Sequence, residues 1–350
     1  VQSVRVLQAM AGAAHGGAEL FFERLTLALH RAGTEQRVLI RRNPQRAATL
    51  QAGGIAAVEL PFGGLFDFTT KRRFAAEITR FAPQVVLSWM NRATRFTPPK
   101  TTGKGFVHVA RLGGYYDLKY YQACDHLVCN TQDLVEYVIR EGWPSERTHY
   151  LPNFAEEVSA PPVSRVSLNT PETAPVLFAL GRLHGNKGFD TLLRAFAQVP
   201  GAYLWIAGEG PERAALEALA QELGVADRLR LLGWRNDAPA LHAAADLFVC
   251  PSRHEPLGNV VIEAWAQGSP VVAAASQGPC ELITPGVTGL LTPVDDVAAM
   301  AHTLNAALAD RAALAAMAEA GRAAYQAQFT EAAVVARYQD FFRRLAAPAV

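Results

Sequence analysis

Two stretches of this 350-residue chain gather the residue types that handle phosphate. Residues 181–188 read Gly-Arg-Leu-His-Gly-Asn-Lys-Gly, after the apolar run PVLFALG (175–181) and ahead of the helical pattern FDTLLRAFAQV. Arg182 and Lys187 supply charge there, the glycines let backbone approach a ligand closely, and the helix start offers N–H groups that favour anions. A nucleotide diphosphate leaving group needs such compensation as the bond to it breaks. A solvated surface pair is the alternative reading of the same two cations. Residues 251–259, Pro-Ser-Arg-His-Glu-Pro-Leu-Gly-Asn, lead into the apolar helix pattern VVIEAWAQG. Gly258 and the Asn259 amide can cradle a phosphate at that helix start. Glu263, on the same helix, can accept two hydroxyl hydrogen bonds from a ribose, or serve only the helix dipole.

These loops need elements to hold them. Short apolar runs alternate with helix-length segments at 4–10, 36–40, 55–60, 84–90, 105–110 and 126–130, then again at 175–181, 202–208, 228–233, 246–251 and 270–275. Such alternation predicts parallel sheets with crossover helices, hence an α/β protein of two doubly wound lobes. In sheets of this kind the ligand crevice lies beyond the carboxyl ends of the strands, where both loops fall. The expected division is a first domain over 1–155, a Pro/Ser/Thr-rich linker over 156–174, a second domain over 175–329, and a terminal helix over 330–350 that crosses to the first domain.

With 50% hydrophobic and 19% charged residues, the chain is expected to fold rather than stay disordered. No stretch approaches the roughly 20 uninterrupted apolar residues of a membrane span, and Val1 to Met10 read as a strand rather than a signal peptide. The four cysteines, Cys124, Cys129, Cys250 and Cys280, form no C-x-x-C pair and lie in or beside apolar runs. They are expected to be buried thiols in a reducing cytoplasm. The net charge of +1 conceals an asymmetry: residues 1–152 carry 19 Lys+Arg against 12 Asp+Glu, and 153–350 carry 14 against 20. A basic first half can face an anionic acceptor or the headgroups of the inner membrane leaflet, so peripheral contact with that leaflet is one expectation and an ordinary solvated surface the other. Nucleic acid is not an expected partner, because the basic residues are dispersed and no recognition module occurs. No H-E-x-x-H, G-x-S-x-G or Asp-x-Asp triplet is found.

The segment EPLGNVVIEAWAQGSPVVA, with seven residues between Glu255 and Glu263 after a strand ending CPS, resembles the signature of glycosyltransferase family 4 among the group 1 glycosyltransferases. GRLHGNKGFDTLL, IAGEGPER, LLGW and GPCELITPGVTGLL stand in that family's order, and GGAELFFERLTLAL (16–29) resembles its N-terminal glycine loop and helix. The resemblance implies the GT-B fold, two Rossmann-like lobes facing each other across a cleft, and a retaining transferase. Its substrates would be a nucleotide-diphosphate sugar, most often a UDP-sugar, and a glycan, lipid-linked or other glycoconjugate acceptor such as lipopolysaccharide.

Residue by residue, the resemblance implies that Arg182 and Lys187 grip the donor diphosphate and that Glu263 binds the ribose. Glu255 contacts the donor sugar, with backbone amides around Leu257, Gly258 and Asn259. Gly16 and Gly17 are expected to admit the sugar and phosphate where any side chain would collide. Backbone near Trp234 and Arg235 is expected to meet the base. On the acceptor side two candidates stand, His108, inside an apparent strand and so equally a core histidine, and Arg111 at that strand's end. Asn153 matches a family asparagine near the hinge, and equally suits a turn. No cofactor and no metal are expected: two cations and a helix end would replace a metal clamp on the diphosphate. The implied route is front-face displacement, with a donor phosphate oxygen taking the acceptor's proton.

Other readings remain open from sequence. A sugar-nucleotide epimerase would share the architecture. An NAD(P)-dependent oxidoreductase would use the glycine-rich AGAAHGGAE after the first strand and Arg41-Arg42 after the second, but Gly12, Gly16 and Gly17 do not fit G-x-G-x-x-G. A two-lobed solute-binding protein would lack any need for phosphate loops.

Overall fold

The structure, a computed structural model, describes residues 4–14, 16–64 and 66–347. Residues 1–3 of the expected first strand and 348–350 of the expected last helix therefore lie outside the described residues. The chain forms two compact units, Val1–Asn153 with Glu331–Val350, and Phe154–Thr330.

In the first unit the apolar runs become β1 (Arg5–Met10), β2 (Glu35–Arg41), β3 (Val58–Leu60), β4 (Val85–Trp89), β5 (Val107–Arg111), β6 (His126–Cys129) and β7 (Thr148–Tyr150). Between them run helices α1 (Gly17–Arg31), α2 (Pro44–Ala52), α3 (Phe68–Phe81), α4 (Met90–Phe96) and α5 (Gln132–Arg140). Among the described residues these strands make one parallel sheet, ordered β3-β2-β1-β4-β5-β6-β7. Every residue of β4 is buried, as a strand covered on both faces must be. Polar side chains cap three of these helices: Asn43 accepts from the Arg46 N–H, Asp67 from Thr70, and Thr131 from Leu134.

The second unit repeats the scheme with β8 (Val176–Leu180), β9 (Tyr203–Ala207), β10 (Leu229–Gly233), β11 (Leu247–Cys250), β12 (Val271–Ala274) and β13 (Leu290–Thr292), ordered β10-β9-β8-β11-β12-β13. Its helices are α6 (Phe189–Phe196), α7 (Arg213–Glu222), α8 (Ala238–Ala244), α9 (Asn259–Ala266), α10 (Gln277–Leu282), α11 (Val297–Ala309) and α12 (Arg311–Gln328). The last helix, α13 (Glu331–Ala346), belongs to the first unit. Arg31 grips Glu331 with two bonds of 2.7 Å, and Gln339 donates to the Ala32 carbonyl at 3.0 Å.

Three details differ from the sequence expectations. The stretch 156–174 is not a free linker: Arg165 donates to the Ala244 carbonyl (2.9 Å) and pairs with Asp246 (3.0 Å), and Val163 and Leu168 pack on the second unit's core. Strands β7 and β13, three residues each, belong to no expected run. Cys124, Cys129 and Cys250 are buried, but Cys280 is exposed on α10, whose buried residues are Gly278 and Pro279. No helix among the described residues is long and apolar enough to cross a membrane.

Candidate active site

The strand order of the second sheet reverses between β8 and β11, and the loops after those two strands are 181–188 and 251–258. A parallel sheet opens a crevice at such a reversal, because the crossovers leave in opposite directions. The two loops are knitted together there. The Asn186 carbonyl accepts the N–H groups of Arg253 (2.9 Å) and His254 (3.2 Å). Gly188 has φ 65°, and a Cβ on it would stand 2.2 Å from the Pro251 carbonyl oxygen, so only glycine permits this approach. Helices α6 and α9 both begin on a glycine at φ 65° and ψ 24°, Gly188 and Gly258, without a capping side chain. Their first-turn N–H groups are thus presented at the crevice where an anion would be favoured.

The charged groups expected here come together in part. Lys187 Nζ lies 2.5 Å from Glu255 Oε2, and the Ser252 hydroxyl donates to the same oxygen at 3.4 Å. The Glu255 side chain is only 10% exposed and that of Lys187 26%, so the pair is held in a partly desolvated site where each charge needs its partner. Arg182, by contrast, is exposed and has no hydrogen-bond or ion-pair partner among the described residues. Leu257 and Gly258 lie in the loop that carries Glu255, Asn259 is the first residue of α9, and Glu263 is half-buried one turn further on. Trp234 and Arg235 sit just beyond β10, two strand spacings from β8, roughly 10 Å away. The Trp234 side chain is 83% exposed, whereas the Arg235 guanidinium is forked onto Asp237 at 2.7 and 2.6 Å.

Two residues that organise these loops escaped the sequence reading. Arg253 pairs with Asp190 (2.7 Å) and Asp295 (2.7 Å) and donates to the Gly185 carbonyl (2.6 Å), clamping one loop to the other. Its hydrogen bonds hold the carboxyls of Asp190 and Asp295 below the usual range and raise its own pKa. Gly278 donates its N–H to the Glu255 carbonyl (2.8 Å), and a Cβ there would stand 2.3 Å from the Gly258 nitrogen. The sequence carried a signal for Gly278 in GPCELITPGVTGLL, but none for what a glycine there must avoid.

In the first unit the glycine loop after β1 has a different division of labour from the one expected. Glu19, in the first turn of α1, is buried and accepts the Ala13 N–H at 2.7 Å. A Cβ on Gly16 would stand 2.3 Å from one of its oxygens, and one on Gly12 2.2 Å from the other. Gly16 thus makes room for Glu19, and only Gly17, with no atom within 4 Å of an added Cβ, opens onto free space.

Both acceptor-side candidates are corrected. His108 lies inside β5 with its ring against the Ser88 hydroxyl at 2.9 Å, and burial pushes its pKa down to about 4; it is a core histidine. Arg111 is buried between the rings of Phe21 and Trp89, its guanidinium carbon 4.7 and 4.6 Å from their centroids. It donates to the Tyr338 hydroxyl (2.9 Å) and to Asn153 Oδ1 (2.6 Å), so it ties α13 and residue 153 to the sheet. Neither side chain is available to an acceptor.

Two Rossmann-like units, each with a glycine-rich loop at a strand reversal and one with paired phosphate-type loops, make up the GT-B class of fold. The sequence profile described as Glycosyl transferases group 1 matches residues 162–324. Over 336 residues the chain is 37% identical to the lipopolysaccharide core biosynthesis glycosyltransferase LpsD of Rhizobium meliloti, covering 94% of this chain and 95% of that one. It is 38% identical over 329 residues to LpsE of the same organism, covering 92% and 94%. The crystal structure of Anabaena HepE in complex with UDP superposes with a TM-score of 0.85 at 21% identity, covering 97% of this chain and all of that one. The chain belongs to the group 1 glycosyltransferases, and it is an enzyme.

Proposed function

We propose that this enzyme transfers a hexose from a UDP-sugar to a saccharide of the lipopolysaccharide type, with retention of configuration and without a metal ion. The observation that carries the reading is the crevice between β8 and β11. There the Lys187–Glu255 pair, an unpartnered Arg182 and two glycine-started helices converge. The names of LpsD and LpsE support the acceptor class, and the UDP complex of HepE supports the nucleotide.

In this reading Arg182 and Lys187 take up the charge that develops on the donor diphosphate as its bond to the sugar C1 lengthens. The acceptor oxygen bonds to C1 on the face the diphosphate is leaving. Its proton passes to a phosphate oxygen, and UDP departs. Glu255, freed in part as Lys187 turns to the phosphate, accepts hydrogen bonds from the donor sugar, and Glu263 accepts them from the ribose. The chain's task is positioning and charge compensation rather than proton abstraction by a side chain.

Melting curves with UDP, GDP, ADP and CMP test the nucleotide: a ligand that binds the folded chain raises Tm, and UDP is expected to raise it most. Transfer assayed in EDTA is expected to match the untreated rate. Loss of activity that Mn2+ restores would overturn the metal-free step.

A further inference from the structure

The carboxyl edge of the first sheet holds a second cationic feature, separate from the glycine loop. Residues after β3, β4 and β5 enclose a hollow of about 410 Å³, within the span of roughly 300 to 1,000 Å³ usual for small-molecule sites. Lys71 on α3 and Arg92 and Arg95 on α4 line it, with Phe96 and Tyr120 as aromatic walls and Asn91 as a neutral polar group.

None of the three cations has a carboxylate partner among the described residues. Arg92 donates only to the Phe62 carbonyl at 3.2 Å, and Arg95 stands over the Tyr120 ring at 5.5 Å. The nearby carboxylates are engaged elsewhere: Asp67 accepts from the Gly63 N–H (2.7 Å) and from both donors of Thr70, and Asp117 pairs with Lys119 at 2.6 Å. Arg92 and Arg95, three apart on one short helix, are like charges on neighbouring positions, which works against the helix unless something negative comes between them. The backbone beside the hollow is also held in uncommon conformations, with Phe62 at φ 44° and Met90 at φ 58°. Non-glycine residues persist there only when their surroundings enforce it.

We propose that this hollow binds a negatively charged sugar, its phosphate or carboxylate held by Lys71, Arg92 and Arg95 and its ring laid against Tyr120 and Phe96. The charge is of the kind guanidinium and ammonium groups read best, and the aromatic walls suit the C–H face of a pyranose. Because the cations line a hollow rather than a flat face, the partner is a group that projects into it and not a sheet of headgroups. The acceptor of the transferase would then be an anionic saccharide. That naming rests on the reading given above, whereas the anion affinity of the hollow does not.

The full chain, carrying Arg182→Ala and Lys187→Ala to silence the anion loops of the second unit, is titrated by calorimetry with mannose 6-phosphate, glucuronate and mannose. The two anionic sugars are expected to bind and mannose not. Adding Lys71→Gln with Arg95→Gln is expected to weaken binding on the order of tenfold or more, while Arg80→Gln, farther along α3, leaves it unchanged. Equal binding by mannose, or affinity unchanged in the double variant, overturns the proposal. So does a double variant that loses sedimentation with phosphatidylglycerol vesicles yet keeps mannose 6-phosphate, since the cations would then serve a bilayer surface. In the otherwise native chain the double variant is expected to raise the acceptor KM and leave the donor KM alone. If UDP fails to shift Tm while the sugar titrations behave as stated, the donor reading falls and the hollow stands.

Discussion

At the scale of single residues, the two cations of the 181–188 loop are held very differently, and this sets what each substitution does. Lys187 is positioned by Glu255 before any ligand arrives, whereas Arg182 is unrestrained and must order itself on the diphosphate. Each offers the leaving group a charge-assisted hydrogen bond of about 1.5 to 3 kcal/mol, so Lys187→Ala and Arg182→Ala should each lower kcat/KM by roughly 10- to 100-fold. Only Lys187→Ala also strands a carboxylate that is 10% exposed, so it alone should lower Tm as well. Steady-state kinetics and melting curves on the two variants separate these effects, and unchanged kinetics in both would remove the cations from the reaction. Glu263→Ala should act mainly on the donor KM, because ribose hydrogen bonds are made alike in the ground and transition states. A variant with unaltered donor KM would take the ribose away from Glu263.

At the scale of elements, the loops at the strand reversal depend on backbones in van der Waals contact. Gly188→Ala places a methyl group 2.2 Å from the Pro251 oxygen at a φ of 65°, while Gly185→Ala, three residues earlier, meets nothing within 4 Å. The first should cost about 2 kcal/mol or more, read as a Tm lower by several degrees with weakened nucleotide binding, and the second should be nearly neutral. Equal behaviour of the pair would mean that the two loops do not lock together at Gly188. Much of this architecture was legible beforehand, because a strand buried on both faces must be an apolar run, as VVLSW in β4 and LFVC in β11 are. Three-residue edge strands such as β7 carry too few positions to show a period. The phosphate-type loops were legible as cations and glycines after strands. Arg253 was not, since its clamp joins residues 63 and 42 positions away, a pairing only the fold creates. Arg111 misled for a related reason: at a strand's end it reads as a site residue, but Phe21, Trp89 and Tyr338 cover it. The cations of the first-unit hollow went unread because Lys71 and Arg95 lie on separate helices.

At the scale of the whole molecule, each unit folds around a buried neutral histidine, and this ties stability to pH. His108 in the first unit and His242 in the second are 2% and 4% exposed, and burial lowers their pKa values to about 4 and about 3. Their neutral rings bond to Ser88 and Ser269, each at 2.9 Å. Below its ordinary value near 6.5 the unfolded chain takes up a proton on each of these side chains, while the folded chain does not until its own lowered value is reached. Between those limits the unfolded state binds more protons, so stability rises with pH and is lost as pH falls from about 6.5 towards 4. For His108 the full loss is on the order of 3 kcal/mol. Urea unfolding at steps from pH 7 to pH 4.5 should therefore show a falling midpoint. His108→Gln, which cannot be protonated, should lower stability at pH 7 but flatten the decline by up to one proton. An identical slope in native chain and His108→Gln would show that the histidine reaches solvent in the folded state, and that the interior of β5 is not closed.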